Sequence, residues 1–272
     1  MKKLFLSVAL SAGVMLCSEA GAVTSELPQV KKCEEAMKQA MYEVAVQQCE
    51  YEAEKGSTEA AEYLGYMYLK GKGVARDWGL ARKYLEQAID GGLVTASRYL
   101  AILYWNGLGV ERSREKAMDL FNDCMSYEMQ NGGDSCKIQL AQTLSFGTNS
   151  EQDHRYARDL YAQLFEKKDY QYSLDLAKMY LVLGQNAEAY KYAEFYIWWA
   201  KRYGDVEQLR LSMSDATVVK NKAVVNLSDV QVNDAYNWVK NEIYKINEEH
   251  MQKKSGENVS KADEKSSNSA GD

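Results

Sequence analysis

The sequence predicts an all-α solenoid: antiparallel helix pairs stacked in one row, about four repeats with capping helices at the ends. Three observations predict it. The chain repeats itself at an offset of 36 residues, as expected of units that can bury both faces only by stacking on neighbours. Apolar residues recur at i, i+3 and i+4 within each unit, marking one face of a helix. A single proline in 272 residues leaves long stretches free of the strongest helix breaker.

The repeat emerges when residues 56–91 are laid over 92–127. Gly56 falls on Gly92, Ala60 on Ala96, Tyr63-Leu64 on Tyr99-Leu100 and Tyr68 on Tyr104. Gly71-Lys72-Gly73-Val74 falls on Gly107-Leu108-Gly109-Val110, and Ala81 on Ala117. A third copy follows at an offset of 40, with Leu140-Ala141 on Leu100-Ala101, Gly147 on Gly107 and Ala157 on Ala117. Its four extra residues lie near Asn131-Gly132-Gly133. A degenerate fourth copy begins near Asp169 and carries Leu176-Ala177 and Tyr180. A half copy (Tyr42, Ala45, Gly56) precedes the first full unit.

Each unit reads as two helices. Ala60, Ala61, Leu64, Gly65 and Tyr68 share one face of the first, and the small Ala61 and Gly65 let a neighbouring helix come close. Gly71 and Gly73 end that helix and permit positive φ in the connection. Asp77 is placed to cap the second helix, which carries Leu80, Ala81, Tyr84, Leu85 and Ala88. Gly91-Gly92 ends it and starts the next unit.

The N-terminus reads as a signal peptide over 1–22. Lys2 and Lys3 precede an uncharged run of 13 residues from Leu4 to Leu16, and Ala20-Gly21-Ala22 offers cleavage after Ala22 or Ala20. The run is short for a bilayer span. An uncleaved anchor is the alternative. Lipid attachment at Cys17 is disfavoured by Met15 and Leu16 before it. No later segment reaches 18 apolar residues, so the mature chain is expected to be periplasmic or secreted, with no stable membrane insertion. It keeps Cys33, Cys49, Cys124 and Cys136. An even number in an exported chain points to two disulfides, with three pairings open. The remaining chain divides into an N-terminal hairpin cap (23–55), the repeats (56–204), C-terminal capping helices (205–250) with a long loop at 212–227, and a disordered tail (251–272). After Val259 the tail has no aromatic or branched apolar residue with which to offset its ordering entropy.

Little catalytic chemistry is present. A net charge of −6 argues against nucleic acid as a partner. Gly71-x-Gly73 and Gly107-x-Gly109 lack the following GK[ST] or third glycine of a phosphate loop, and recur once per unit as turns. No HExxH, GxSxG or Cys-His metal spacing occurs. His154 follows Asp153, a candidate helix cap, and reads as a surface residue. The expectation is a non-enzyme with no cofactor and no metal. The aromatics say more. Tyr68, Tyr84, Tyr104 and Tyr180 occupy core positions of the repeat. Tyr63, Tyr66, Tyr99 and Ile102, with Trp105, lie on another face of the first helices, where they could anchor a protein partner on a concave surface or pack between helices. The cluster Phe195, Tyr196, Trp198, Trp199 and Tyr203 is expected to close the array against the last helix.

Taken together, Ala60, Leu64-Gly65, Tyr68, Gly71, Gly73-Val74, Asp77, Ala81, Tyr84 and Ala88 resemble the Sel1-like repeat, a relative of the tetratricopeptide repeat. The match is strong over 56–127, fair at 134–168 and weak at 169–204, and the resemblance covers roughly 42–247. It implies a right-handed superhelix acting as adaptor or scaffold. Some cysteine-rich relatives link the second helix of one unit to the first helix of the next. That resemblance implies a Cys124–Cys136 disulfide, in the slots of Ala88 and Ala96, and leaves Cys33 with Cys49. The functional expectation is a protein-protein interaction scaffold binding an envelope protein. A secreted factor acting on a host protein is one alternative. A cell-wall or β-lactam-related hydrolase is another, though no serine nucleophile motif is present.

Overall fold

The computed structural model describes residues 32–146, 149–203 and 206–268; the expected signal peptide (1–22) lies outside them. The described residues form helices and no strand, in six consecutive pairs. These are α1 (Cys33–Lys38) with α2 (Tyr42–Glu54), α3 (Thr58–Lys70) with α4 (Trp78–Asp90), and α5 (Ser97–Asn106) with α6 (Arg114–Asn131). Then follow α7 (Ser135–Ser145) with α8 (Glu151–Glu166), α9 (Ser173–Val182) with α10 (Asn186–Tyr203), and α11 (Val206–Val224) with α12 (Asp229–Asn268). Each helix from α1 to α10 packs on the next, α12 returns to pack on α10, and the first helices touch from α1 to α3, α3 to α5, α5 to α7 and α9 to α11. This is an α-solenoid. The degenerate fourth copy folds as a pair like the others, α9 and α10.

Local chemistry sets the helix ends. The Ser57 hydroxyl accepts from the Ala60 N–H at 3.2 Å to start α3, and the Asp77 carboxylate from the Leu80 N–H at 2.9 Å to start α4. Ser113 does the same for α6. At α8 the cap is Ser150, not Asp153: Asp153 is the third helical residue and completes a capping box. Gly71 ends α3 at φ 70°. Gly73 is needed for space as well as for its φ of 70°, because a Cβ there would lie 2.4 Å from the Tyr42 carbonyl carbon. The contact recurs one unit later, where a Cβ on Gly109 would lie 2.9 Å from Trp78 Cβ. Each Gly-x-Gly turn thus seats on the start of the second helix of the preceding pair.

The core is built from small and branched residues at matching positions. Ala61, Leu64 and Met67 of α3 are fully buried with Ala81, Leu85 and Ala88 of α4. The bare Gly65 brings the two helices close, since a Cβ there would fall 2.6 Å from Leu85. Both disulfides form: Cys33–Cys49 ties α1 to α2, and Cys124–Cys136 ties α6 to α7. The four extra residues of the third copy lengthen α6, which has 18 residues where α4 has 13.

At the C-terminus the structure departs from the sequence expectation in two places. Most of 212–227 is helix, not loop. Ala216, Val219 and Ala223 of α11 form a buried stripe one residue wide, running on to the α10–α12 side. So thin a stripe gives weak periodicity. The backbone from 251 to 268, expected to lack structure, continues α12 to Asn268. Lys, Glu, Gln and Ala favour helix even without an apolar face. The aromatic cluster of α10 packs in two directions. Phe195 is fully buried with Phe165 and Trp238, at centroid distances of 5.1 and 6.2 Å, while Tyr196 joins Ala216 and Val219 of α11.

Candidate partner-binding cleft

The first helices of successive pairs present equivalent positions side by side. With the offsets of 36 and 40, Tyr66 of α3 is followed by Ile102 of α5 and Gln142 of α7, and Lys70 by Asn106 and Phe146. These residues, with Tyr99, Trp105, Gln139 and Thr143, line an open cleft of about 510 Å³. Every wall comes from α3, α5, α7 or the residue that follows α7; no second helix contributes. The Tyr66 and Tyr99 rings meet at 5.4 Å between centroids, tilted by 49°.

Ion pairs between units hold the aromatic wall. Arg98 pairs with Glu62 of the preceding pair at 2.8 Å, with both side chains largely buried. Its guanidinium lies 4.3 Å from the Tyr99 ring centroid, and it donates to the Thr95 carbonyl at 2.7 Å. Burial pushes the Glu62 carboxyl above its ordinary 4.5, and Arg98 opposes the shift. At the other end, Arg114 stacks 4.4 Å above Trp105 and binds both carboxylate oxygens of the buried Asp153. Burial works to raise the Asp153 carboxyl, but hydrogen bonds from Arg114 and Ser150 outweigh it and hold it below 3.8. The Trp105 ring is therefore clamped across the α5–α8 boundary. The Asn106 amide is tied by donation to the Ile102 carbonyl at 2.9 Å.

The residues singled out in the sequence are distributed unevenly. Tyr66 and Tyr99 are half-buried and line the cleft. Ile102 and Trp105 also line it but are only 8% and 6% exposed, so they form its floor rather than free anchors. Tyr63 is not a lining residue. It sits toward α1, within electrostatic reach of Glu34 and Lys38. Tyr63 and Tyr99 share a repeat position, but the preceding first helix is the six-residue α1 at Tyr63 and the longer α3, which supplies Tyr66, at Tyr99. The sequence reading missed Lys70, Asn106, Gln139, Gln142, Thr143 and Phe146. Extending the 36- and 40-residue offsets from Tyr66 and Tyr99 would have found Gln142 and Gln139, whereas Lys70, Asn106 and Phe146 share a different repeat position. Phe146 is 74% exposed.

Two other clefts lie elsewhere. One, of about 650 Å³, runs between the lengthened end of α6 and α8 and includes Met125, Met129 and Tyr156. The other, of about 550 Å³, lies beside the start of α10 and the α11–α12 turn. Among the described residues no cluster of His, Cys, Asp and Glu could hold a metal, and no helix is long and apolar enough to cross a membrane.

Fold and cleft define a helix-pair repeat protein whose first helices form a continuous lining face. Three of the units match the Sel1 repeat family model, at residues 58–93, 94–122 and 135–169. Among solved structures, the chain is similar to a Sel1 repeat protein from Oxalobacter formigenes, at 16% identity and a TM-score of 0.45 over 77% of this chain and 98% of that one. It is also similar to c5321, a protective antigen present in uropathogenic Escherichia coli strains that displays an SLR fold. That likeness has 13% identity and a TM-score of 0.35 over 78% of this chain, which spans 60% of the antigen. No curated protein matches the chain.

Proposed function

We propose that this chain is a non-catalytic protein-protein interaction scaffold of the periplasm or the secreted fraction, binding a protein of the bacterial envelope in the cleft across α3, α5 and α7. Sel1 repeats mediate protein-protein contact in general, and the cleft supplies a place for it here. One observation carries the reading. Equivalent positions of three stacked first helices converge on a single cleft, its aromatic wall is braced by inter-unit ion pairs, and no side chain of the described residues fills it. Braced, half-buried tyrosines are suited to anchor a partner, because little side-chain freedom remains to be lost. The two disulfides agree with an oxidising compartment.

The test is capture of envelope proteins by immobilised mature chain, comparing wild type with Tyr66→Ala, Tyr99→Ala and Tyr236→Ala. Tyr236 is an exposed residue of α12 remote from the cleft. The reading expects the first two variants to lose capture at unchanged melting temperature and Tyr236→Ala to keep it. Equal capture by all variants would remove the cleft as the binding site.

A further inference from the structure

The two disulfides tie down helices of very different standing. Cys136 is the second residue of α7, an 11-residue helix that also buries Leu140, Ala141 and Leu144 and packs on α5, α6 and α8. Glu128 holds the start of α7 by accepting from the Ser135 and Cys136 N–H groups, each at 2.9 Å. Cys33 is the first residue of α1, which has six residues, buries Cys33 and Ala36, and packs on α2 and α3. The Cys33 N–H donates to Glu52 of α2 at 2.9 Å. The ion pair of Lys38 with Glu34, at 2.6 Å, lies within α1 itself and ties it to nothing else. Isolated helices need about 12–15 residues to be even marginal in water, so α1 cannot persist by itself. The bond to Cys49 is therefore its main tether, whereas α7 is kept beside α6 by packing as well as by its bond to Cys124.

That difference sets the redox behaviour of the two bonds. A fold that keeps two thiols side by side raises their effective concentration and makes the disulfide between them hard to reduce. A pair held together mainly by the bond itself is reduced more readily. We propose that Cys33–Cys49 is a reducible latch and α1 a lid: a dithiol opens this bond, α1 leaves α2 and α3, and Cys124–Cys136 stays closed. All four cysteines are at most 1% exposed, so attack awaits a local opening. A short end helix opens at lower cost than one packed among three others. The step is thiol–disulfide exchange. One thiolate of the dithiol bonds to a sulfur of the pair, and the other cysteine leaves as thiolate. The reductant's second thiol then displaces that first sulfur. The reductant ends as its own disulfide, and Cys33 and Cys49 have gained its two electrons and two protons. Release of α1 uncovers the part of α3 on which it packs, a contact that the preceding first helix makes at α5 and at α7. The array thereby acquires an open end that its oxidised form keeps covered.

The experiment equilibrates the disulfide-intact mature chain with graded mixtures of reduced and oxidised dithiothreitol. Free thiols are trapped with a maleimide and assigned to each cysteine by peptide mass. Far-UV circular dichroism and tryptic cleavage after Lys38 are followed on the same samples. Cys33 and Cys49 are expected to be labelled at a reduced-to-oxidised ratio about tenfold lower than Cys124 and Cys136, about 30 mV for a two-electron couple. Cleavage after Lys38 should accelerate in step with that first labelling, while the helix signal is kept. A Cys33→Ser/Cys49→Ser variant should be cut after Lys38 as fast without reductant and keep the helix signal of the array. Both bonds opening at one ratio, or Cys124–Cys136 opening first, would overturn the latch. Lys38 staying protected once Cys33 and Cys49 are labelled, or in the double variant, would overturn the lid. So would a double variant that loses its helix signal, since the bond would then hold the array and not α1 alone.

Discussion

The array contains two junctions of the same kind that are held in different ways. From α4 to α5 the chain turns at Gly91-Gly92 and a short 3-10 turn, Val94–Ala96, and Ala88 and Ala96 are both fully buried. From α6 to α7 the equivalent slots hold Cys124 and Cys136, also fully buried and joined covalently. The four extra residues add more than a turn to α6, and the added turn places Glu128 over the start of α7. There its carboxylate accepts from the Ser135 and Cys136 N–H groups, each at 2.9 Å, and from the Ser135 hydroxyl. Asp134, at the N-cap position, makes no side-chain cap. Where the repeat is regular, packing of small residues makes the junction. Where an insertion breaks the period, a disulfide and a buried carboxylate take over.

The largest expected effect tests that substitution of one device for the other. Replacing both Cys124 and Cys136 by Ala rebuilds the slots of the regular junction without the cross-link, and a loop of this length is expected to lose about 3 kcal/mol. Urea unfolding of the oxidised protein measures it; an unchanged midpoint would mean that packing alone suffices at both junctions. Glu128→Ala strips two helix N–H groups of their acceptor and is expected to cost about 2 kcal/mol, with Glu128→Gln intermediate. A Glu128→Ala variant as stable as wild type would show that water replaces the carboxylate.

A backbone effect follows at the junction that carries the insertion. Gly132 lies at φ 84° and ψ 156°, a region that essentially only glycine occupies, with open space around the missing Cβ, so alanine there adds backbone strain alone, about 1–3 kcal/mol. A Gly132→Ala variant with an unchanged urea midpoint would show that this junction relaxes.

The smallest effect is the pH dependence. Asp134 and Asp153, both beyond the insertion, have folded values below 3.8; burial works against the shift at each, and hydrogen bonds from Lys167 and Lys137, or from Arg114 and Ser150, outweigh it. Their contribution is therefore complete above about pH 4 and lost as pH falls through the folded values. Glu62, in the regular part, has the opposite sign. Its folded value lies above 4.5, so its contribution is largest at low pH and declines as pH rises from 4.5 through the folded value. Stability measured from pH 6 down to 2.5 should fall less steeply in Asp153→Asn than in wild type, and an identical slope would contradict the assignment. Glu62→Gln should change the profile only above pH 4.5.

This comparison also explains what the sequence disclosed. Period, turn glycines, the Asp77 cap and the Cys124–Cys136 pair were legible because each repeats, or replaces, something one unit away. Glu128 was not, since its task exists only because of the insertion and has no counterpart to be matched with. Nor was α11, whose buried stripe of Ala216, Val219 and Ala223 is too thin to show as a period. At the cleft, Tyr66 and Tyr99 stood out by their type, whereas Gln142 and Phe146 belong by position alone.

The seating of Gly73 on Tyr42, and of Gly109 on Trp78, bears on how such an array can change length. Any side chain at Gly73 or Gly109 would meet the previous pair, its Cβ 2.4 Å from the Tyr42 carbonyl carbon or 2.9 Å from Trp78 Cβ. The opposite edge, where second helices hand over to first helices, has already absorbed four residues by lengthening α6. In the two units that carry the Gly-x-Gly turn, both connections keep seven residues, 71–77 and 107–113, and growth is left to the other edge. The spacing of α3 and α5, and with it the ruler against which any extended partner would be measured there, is held by the turn that tolerates no side chain.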